Sequence, residues 1–211
     1  TATSDWQAIL KLVNFILISY AAMIIMVIVH MLYLLTAGLN PFTFYRKSMS
    51  NLLFAFTSRS SAATLPITIN NAENNLGVPE GIANLASTLG TSVGQNGCAG
   101  VFPAMVAVMI APTMGINPLS IAFLVEVALL CVLASFGTVG VGGGATFTAI
   151  VVLSALNFPV GLVGLLISVE PIIDMGRTAL NISDSLLAGV IAAKRTGVLN
   201  EEIYNRKEIV D

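Results

Sequence analysis

Long apolar stretches without charged residues dominate the hydrophobic pattern of this chain. No Asp, Glu, Lys or Arg occurs between Lys11 and Arg46, between Glu80 and Glu126, or between Glu126 and Glu170. Each gap is longer than the roughly 20 apolar residues that cross the hydrocarbon core of a bilayer. The pattern therefore predicts an all-α polytopic membrane protein.

Three apolar segments are long enough to span a membrane, and they cover residues 7–38, 82–112 and 160–193. The second of them is interrupted in its middle by the run Gly94-Gln95-Asn96-Gly97. Irregular backbone cannot face lipid, because each unsatisfied N–H or C=O group costs several kcal/mol there. We therefore expect this break to line a polar cavity inside the protein.

Two further regions, residues 41–75 and 118–157, each contain a pair of apolar segments too short to span. A polar tip joins each pair: Arg59-Ser60-Ser61 in the first tip, and the Ser- and Gly-rich run from Ser135 to Gly144 in the second tip. This pattern predicts two re-entrant helical hairpins. Broken helices of this kind indicate the binding site of a transporter, although tight helix packing is the alternative explanation of a glycine cluster.

Composition excludes a soluble globular protein. The chain is 56% hydrophobic and only 9% charged, with a mean hydropathy of +0.90, whereas soluble domains are about 25% charged. The net charge of −2 and the absence of a basic run give no indication of a nucleic-acid partner. Cys98 and Cys131 lack the spacing of a zinc or redox site, so we expect buried thiols and no cofactor.

The ends of the chain carry topological information. The opening run, Thr1 to Asp5, has the polarity of a loop and lacks the pattern of a signal peptide, so we expect the chain to begin within a longer protein. Arg46-Lys47 and Lys194-Arg195 fall on the same side if only the three long segments cross. The positive-inside rule makes that side cytoplasmic, together with a tail over residues 201–211.

The last long segment contains the strongest candidate chemistry. Asp174, Arg177, Thr178 and Asn181 lie on one face at helical spacing. A charge in mid-membrane costs roughly 2.5–3.5 kcal/mol, so this face should point into a polar interior. Asp binds an ammonium group and Arg binds a carboxylate, and the two Gly/Ser tips favour such a ligand site. The alternative is an ion pair that neutralises itself.

Other polar residues in the apolar segments carry weaker indications. His30 is more typical of a satisfied interior polar group than of a proton carrier. Glu126 and Glu170 are candidate proton carriers, and a place near the membrane surface explains each of them equally well. Arg59, beside the first tip, is a candidate partner for Asp174 or an ordinary interfacial charge.

At these motifs the sequence resembles the dicarboxylate/amino acid:cation symporter family, which includes the glutamate transporter homologues. The resemblance rests on Arg59-Ser60-Ser61 with Thr64-Leu65-Pro66, on Ser135 to Gly144, and on Asp174-Met175-Gly176-Arg177-Thr178 with Asn181. It covers residues 7–196 and implies part of an elevator-type transport domain. In family order, that domain is the sixth helix, the first hairpin, the seventh helix, the second hairpin and the eighth helix.

The resemblance also implies an assembly and a set of binding roles. Family members are homotrimers in the cell membrane, joined through a scaffold domain that this chain lacks. Asp174 would hold the substrate ammonium and Arg177 a distal carboxylate. The implied substrate site consists of Ser60, Ser61, Asn96, Cys98, Gly140, Asp174, Arg177, Thr178 and Asn181.

The sequence departs from the family pattern at the cation sites. The family motif Asn-Met-Asp-Gly-Thr is here Gly94-Gln95-Asn96-Gly97-Cys98, so an Asn replaces the cation-binding Asp. The second sodium-site Asp falls at Ser185, with Asp184 one position earlier. Sodium would then depend on a site of backbone carbonyls around Ser92, Ser135, Phe136 and Thr138, with Gln95 as a further candidate ligand. Protons on Glu126, Glu170 or Asp184 are the alternative. The expected coupling ion is sodium or a proton.

The run from Gly94 to Gly100 resembles the bacterial L-cystine uptake branch of the family. Cystine is a long zwitterion with a second carboxylate, which agrees with the presence of Arg177. A dicarboxylate or glutamate symporter is the alternative within the family. An ion channel or structural subunit would leave Asp174 and Arg177 without a ligand, and an enzyme is not expected, because His30 lies far in sequence from any Ser or Asp cluster.

Overall fold

The computed structural model describes residues 2–210, and it describes the side chains of residues 6–210 except that of Ala8. Within this range the chain is all-helical and forms no strand. The ten α-helices are α1 (Ala2–Thr36), α2 (Pro41–Ser58), α3 (Ser61–Asn74), α4 (Glu80–Ser92), α5 (Phe102–Ile110), α6 (Ile121–Ser135), α7 (Gly144–Ala155), α8 (Gly161–Leu166), α9 (Glu170–Arg195) and α10 (Glu201–Asn205). A π-helical turn (Asn96–Val101) precedes α5, and a 3₁₀ turn (Ala111–Met114) follows it.

Polar caps begin several of these helices. The Asn40 side chain accepts a hydrogen bond from Phe42 N and precedes Pro41, whose fixed φ suits the first position of a helix. Ser60, Ser120 and Asn200 cap α3, α6 and α10 in the same way. The two hairpin regions therefore begin with local signals that sequence reasoning can recognise.

Two sequence expectations need correction. Residues 2–5, expected as a loop, belong to α1; the run contains no Gly or Pro to interrupt a helix, and Thr1 lies outside the described residues. The segment over residues 160–193 is divided into α8 and α9. The division falls just before Pro171, which lacks an N–H group and fits only the first turn of a helix.

Two helical stretches are long and apolar enough to cross a membrane, Ile9–Thr36 and Glu80–Met114. On α1 the large apolar side chains are mostly exposed, among them Ile24, Ile25 and Ile28. A contiguous apolar surface of this size is typical of a face that contacts lipid or another protein segment.

The two short helix pairs are each joined by buried polar contacts. In the first pair, Asn51 of α2 donates to Thr68 of α3 at 3.3 Å. In the second pair, the hydroxyl groups of Thr138, which lies just after α6, and Thr148 of α7 are 2.7 Å apart. These contacts hold the two segments of each pair together.

Helix α9 lies at the centre of the molecule, where it packs against α1, α2, α3, α4 and the π-helical turn. Its first half joins an apolar cluster with α5, α6 and α7 through Ile173 and Leu180. Its second half joins another cluster with α2, α3 and α4 through Ile182 and Leu186. The face predicted to carry chemistry is therefore held between two cores.

The C-terminal tail packs against the end of the first helix pair that lies opposite its tip, where α2 begins and α3 ends. Tyr204 is fully buried, its hydroxyl donates to Asn40 O at 2.9 Å, and burial raises the pKa of this phenol. Lys47, which is 1% exposed, donates to the carbonyls of Asn75 and Ile203. The predicted cytoplasmic tail thus contacts the same end of the molecule as Lys47, and Asp211 lies outside the described residues.

Candidate functional site

The two hairpin tips meet at Gly140. Its carbonyl oxygen accepts hydrogen bonds from Ala62 N at 3.0 Å and from Ser60 Oγ at 3.3 Å. A Cβ atom at position 140 would lie 2.8 Å from Thr91 O, so the second tip also packs closely against α4. Only glycine fits between these two backbones, which explains a glycine at this point of the second tip.

The first tip ends α2 and begins α3 with its helix N-terminus facing the site. Arg59 adopts the left-handed conformation, with φ of 54°, and it caps α2 by donating from its backbone N–H to Ala55 O. This conformation is uncommon for a residue other than glycine. Ser60 caps α3, and Ser61 is buried at the first position of that helix, where backbone N–H groups favour an anion.

Four ionisable side chains form what we call the charge cluster: Arg59, Glu170, Asp174 and Arg177. Arg177 Nη2 lies 2.5 Å from Glu170 Oε1 and 3.1 Å from Asp174 Oδ1, and Arg59 Nε lies 3.3 Å from Asp174 Oδ2. Glu170, Asp174 and Arg177 are buried, whereas the Arg59 side chain is 34% exposed. The cluster contains two cations and two carboxylates, so its formal charge is zero.

Arg177 is only partly satisfied by this cluster. Among the described residues, its Nε and Nη1 atoms have no hydrogen-bond partner although they are buried. The guanidinium carbon lies 4.3 Å from the ring centroid of Phe102, which supports the group by a cation–π contact. An unpaired buried donor is costly, so the free side of Arg177 is suited to an incoming carboxylate.

The break between α4 and α5, residues 93–101, is attached to α9 through Asn181. The Asn181 Oδ1 atom accepts from Gly97 N at 2.8 Å, and its Nδ2 donates to Gln95 Oε1 at 3.3 Å and to Cys98 Sγ at 3.2 Å. A Cβ at Gly97 would lie 2.7 Å from Arg177 O, so the break approaches α9 directly beneath the charge cluster. Asn181 therefore fixes the position of the break.

Thr178 and Asn96 complete the predicted substrate residues. Thr178 is buried one turn beyond Asp174 on the same face of α9. Asn96, partly buried at the start of the π-helical turn, lines a separate cavity instead. The structure thus brings the tips, Thr178 and the charge cluster together, while Asn96 faces the other side of the break.

That cavity has a volume of about 1070 Å³ and lies between α4, α6 and α9. Three of the predicted sodium ligands line it: Gln95, Ser135 and Phe136. The other two are not among the lining residues. Ser92 is exposed and donates to Thr88 O within its own helix, and Thr138 is buried in its bond to Thr148.

The remaining predicted titratable residues occupy different environments. Glu126 is exposed on α6 and lies outside the charge cluster. Asp184 lines the cavity, and its Oδ1 atom lies 2.7 Å from Nε2 of His30. Sequence reasoning missed this contact because the two residues come from the first and last long helices, and the only available signal was that both are ionisable residues in apolar segments.

In the described part of the chain, the tips of two short helix pairs and a broken helix converge on buried side chains of opposite charge, an arrangement typical of transporter binding sites. The chain belongs to the sodium:dicarboxylate symporter family, whose family model matches residues 1–195. This finding confirms the family resemblance predicted from the tip and α9 motifs.

Curated relatives share more than half of their aligned residues with this chain. It is 56% identical over 211 residues to the L-cystine uptake protein TcyP of Bacillus licheniformis, covering all of this chain and 46% of the relative. It is 56% identical over 204 residues to the L-cystine uptake protein TcyP of Shouchella clausii, an alignment that covers 97% of this chain and 44% of the relative. It is 53% identical over 207 residues to the L-cystine uptake protein TcyP of Bacillus cereus, which covers 98% of this chain and 45% of the relative. The chain therefore spans about half the length of the curated relatives it matches.

Proposed function

We propose that the protein to which this chain belongs imports L-cystine by cation-coupled symport. The charge cluster carries this proposal. Arg59, Glu170, Asp174 and Arg177 together are neutral, and a zwitterion with equal numbers of ammonium and carboxylate groups adds no net charge to the buried site. The names of the relatives, L-cystine uptake proteins, agree with this choice.

A dicarboxylate symporter is the second candidate, since the family is named for such substrates. Glutamate or aspartate would add one net negative charge beside two buried carboxylates, and a cation would have to enter with it. The cation-binding carboxylates expected for that task are replaced by Asn96 and Ser185 in this chain. The observations therefore favour the zwitterion.

The substrate roles follow from the unsatisfied groups. One carboxylate of cystine is bound by Nε and Nη1 of Arg177, while Glu170 and Asp174 hold the opposite side of the guanidinium. An ammonium group is bound by Asp174 in place of Arg59, whose partly exposed side chain can withdraw. Ser61 and the N-terminus of α3 face the second carboxylate, and Thr178 contacts the head group.

The surrounding architecture would work as a transport domain over residues 1–200, with a cytoplasmic tail after it. The helix pairs α2–α3 and α6–α7 would be re-entrant hairpins, and the whole domain would move as an elevator. The few hydrogen bonds that join the tips, all at Gly140, are consistent with a second hairpin that opens to admit substrate. We further propose a homotrimer in the bacterial cell membrane with the apolar face of α1 against lipid or scaffold.

Radiolabelled uptake by the full-length protein in proteoliposomes tests this function. Concentrative L-cystine uptake under an imposed ion gradient, insensitive to a hundredfold excess of glutamate or aspartate, is the expected result. Uptake of glutamate or aspartate with no cystine uptake would overturn the substrate assignment and leave the second candidate. A leak of ions without any solute accumulation would overturn the symporter proposal itself.

A further inference from the structure

A second contact between ionisable side chains lies away from the charge cluster, between α1 and the second half of α9. His30 is 2% exposed, its Nε2 lies 2.7 Å from Asp184 Oδ1, and its Nδ1 lies 3.0 Å from Ser183 Oγ. Both ring nitrogens therefore have fixed partners. Such a histidine can exchange a proton with its carboxylate partner without a change of position.

One oxygen of the Asp184 carboxylate is free to accept a hydrogen bond or a proton. Among the described residues its Oδ2 atom is buried without a hydrogen-bond partner, and the residue lines the 1070 Å³ cavity together with Asn96. Polar side chains in the same lining, among them Tyr33, Gln95 and Ser185, give water that enters the cavity hydrogen-bond partners near this acceptor.

Among the described residues, no other ionisable side chain is hydrogen-bonded to His30 or Asp184. Tyr33 of α1 lines the same cavity, and Tyr45 of α2 lies 3.4 Å from Ser183 Oγ. Further groups contact other partners: Arg46 the Arg206 carbonyl, Lys47 the Asn75 and Ile203 carbonyls, Glu73 of α3 Asn84, Cys98 of the π-helical turn Asn181, Tyr20 of α1 the Ile172 carbonyl, and Lys194 of α9 Glu201. Glu80 is exposed at the start of α4. In the described part of the chain, the only cationic side chain that contacts Asp184 is therefore that of His30 when protonated.

A hard cation such as sodium fits this pair poorly. Alkali and alkaline-earth ions select shells of oxygen ligands, whereas one of the two groups of this pair is an imidazole nitrogen, 2.7 Å from Asp184 Oδ1. With a neutral imidazole the pair carries one negative charge, and with one added proton it is neutral. An uncompensated charge inside a membrane costs several kcal/mol, so an added proton lowers the cost of keeping this pair in the interior.

We propose that the His30–Asp184 pair is the proton-binding site that couples substrate import to a proton gradient. This inference rests on the proposed symport function. One proton from outside water joins the pair as one substrate molecule binds at the charge cluster. Both cross the membrane together, the proton leaves to inside water, and the pair regains its negative charge.

Proteoliposomes that contain the full-length protein and an internal pH dye test this coupling. We expect L-cystine entry to acidify the interior without sodium, and an inward proton gradient to drive accumulation. Asp184→Asn should lower both signals at least tenfold, while cystine exchange across the membrane, which needs no net proton movement, falls less than threefold. Glu80→Gln, which replaces an exposed carboxylate, is the matched control and should retain all signals.

His30→Gln provides the same comparison should Asp184→Asn lose exchange through misfolding. Proton entry that persists in both variants would overturn the proposal, as would accumulation that needs sodium and moves no protons. A parent protein that exchanges glutamate and not cystine would refute the substrate assignment alone. In that case the proton signal recorded with glutamate would still decide the role of the pair.

Discussion

Replacing Arg177 perturbs the binding site at the point where the structure leaves the most hydrogen-bonding capacity unused. Its Nε and Nη1 atoms are buried without partners, and a substrate carboxylate would accept from both. Hydrogen bonds to charged groups contribute roughly 1.5–3 kcal/mol each, so two contribute about 3–6 kcal/mol. Arg177→Ala is therefore expected to weaken L-cystine binding by roughly 10²- to 10⁴-fold.

Alanine at this position also removes the partner of two buried carboxylates, Glu170 and Asp174. Because breaking a buried ion pair is destabilising by about 3–5 kcal/mol, loss of binding alone would not separate recognition from misfolding. Arg177→Lys retains the charge but loses the planar fork, and we expect it to fold and to lose about one hydrogen bond, a roughly tenfold to hundredfold loss of affinity.

The assay is equilibrium binding of radiolabelled L-cystine to purified full-length protein, with thermal unfolding measured on the same samples. S-methyl-L-cysteine, which has only one carboxylate, serves as the comparison ligand. If Arg177 binds the distal carboxylate, Arg177→Lys should change the affinity for this ligand less than threefold. If Arg177→Lys binds cystine within threefold of the parent affinity, the proposed role of Arg177 is refuted. If the affinities for cystine and S-methyl-L-cysteine fall equally, Arg177 binds the amino-acid head group and not the distal carboxylate.

Three further substitutions test the site and its surroundings. Gly140→Ala should lower uptake at least tenfold, because its Cβ would lie 2.8 Å from a backbone oxygen of α4. The control Gly137→Ala, whose Cβ has its nearest contact at 3.8 Å, should retain at least half of the parent uptake. Equal uptake by the two variants would contradict the tip geometry. Asn96→Asp adds a carboxylate at the cavity and should increase the sodium dependence of uptake, measured against choline; an unchanged sodium response would argue against the cation role of this position. Phe102→Leu removes a cation–π contact of about 0.5–2 kcal/mol and should weaken cystine binding twofold to thirtyfold; unaltered binding would show that the ring does not support Arg177.

Local patterns explain the parts of the candidate site that sequence reasoning identified. Asp174, Arg177 and Thr178 share a face because helical periodicity places residues three and four apart side by side. The two tips are recognisable because short polar residues interrupt apolar runs in which backbone groups must be satisfied. Neither inference requires knowledge of how the helices pack.

Contacts between distant segments were beyond this reasoning. Of the five residues predicted to bind sodium, Gln95, Ser135 and Phe136 line one cavity and Ser92 and Thr138 do not, a grouping that depends on how α4 and α6 pack; the sodium site itself stays a prediction. The break before Pro171 also fell inside a segment that hydropathy alone treats as continuous, since hydropathy does not register a missing backbone N–H group.

The amino-acid sequence by itself determined that this protein is helical, resides in a membrane and carries opposite charges on one face of its last long helix. These properties follow from the amino-acid composition and from the spacing of apolar and polar residues along each segment. Only the tertiary structure decided that Gly140 joins the two tips, that Asn181 holds the α4–α5 break, and that His30 meets Asp184. Such pairings depend on how helices far apart in the chain cross and rotate when their apolar faces pack, and no local pattern specifies that arrangement.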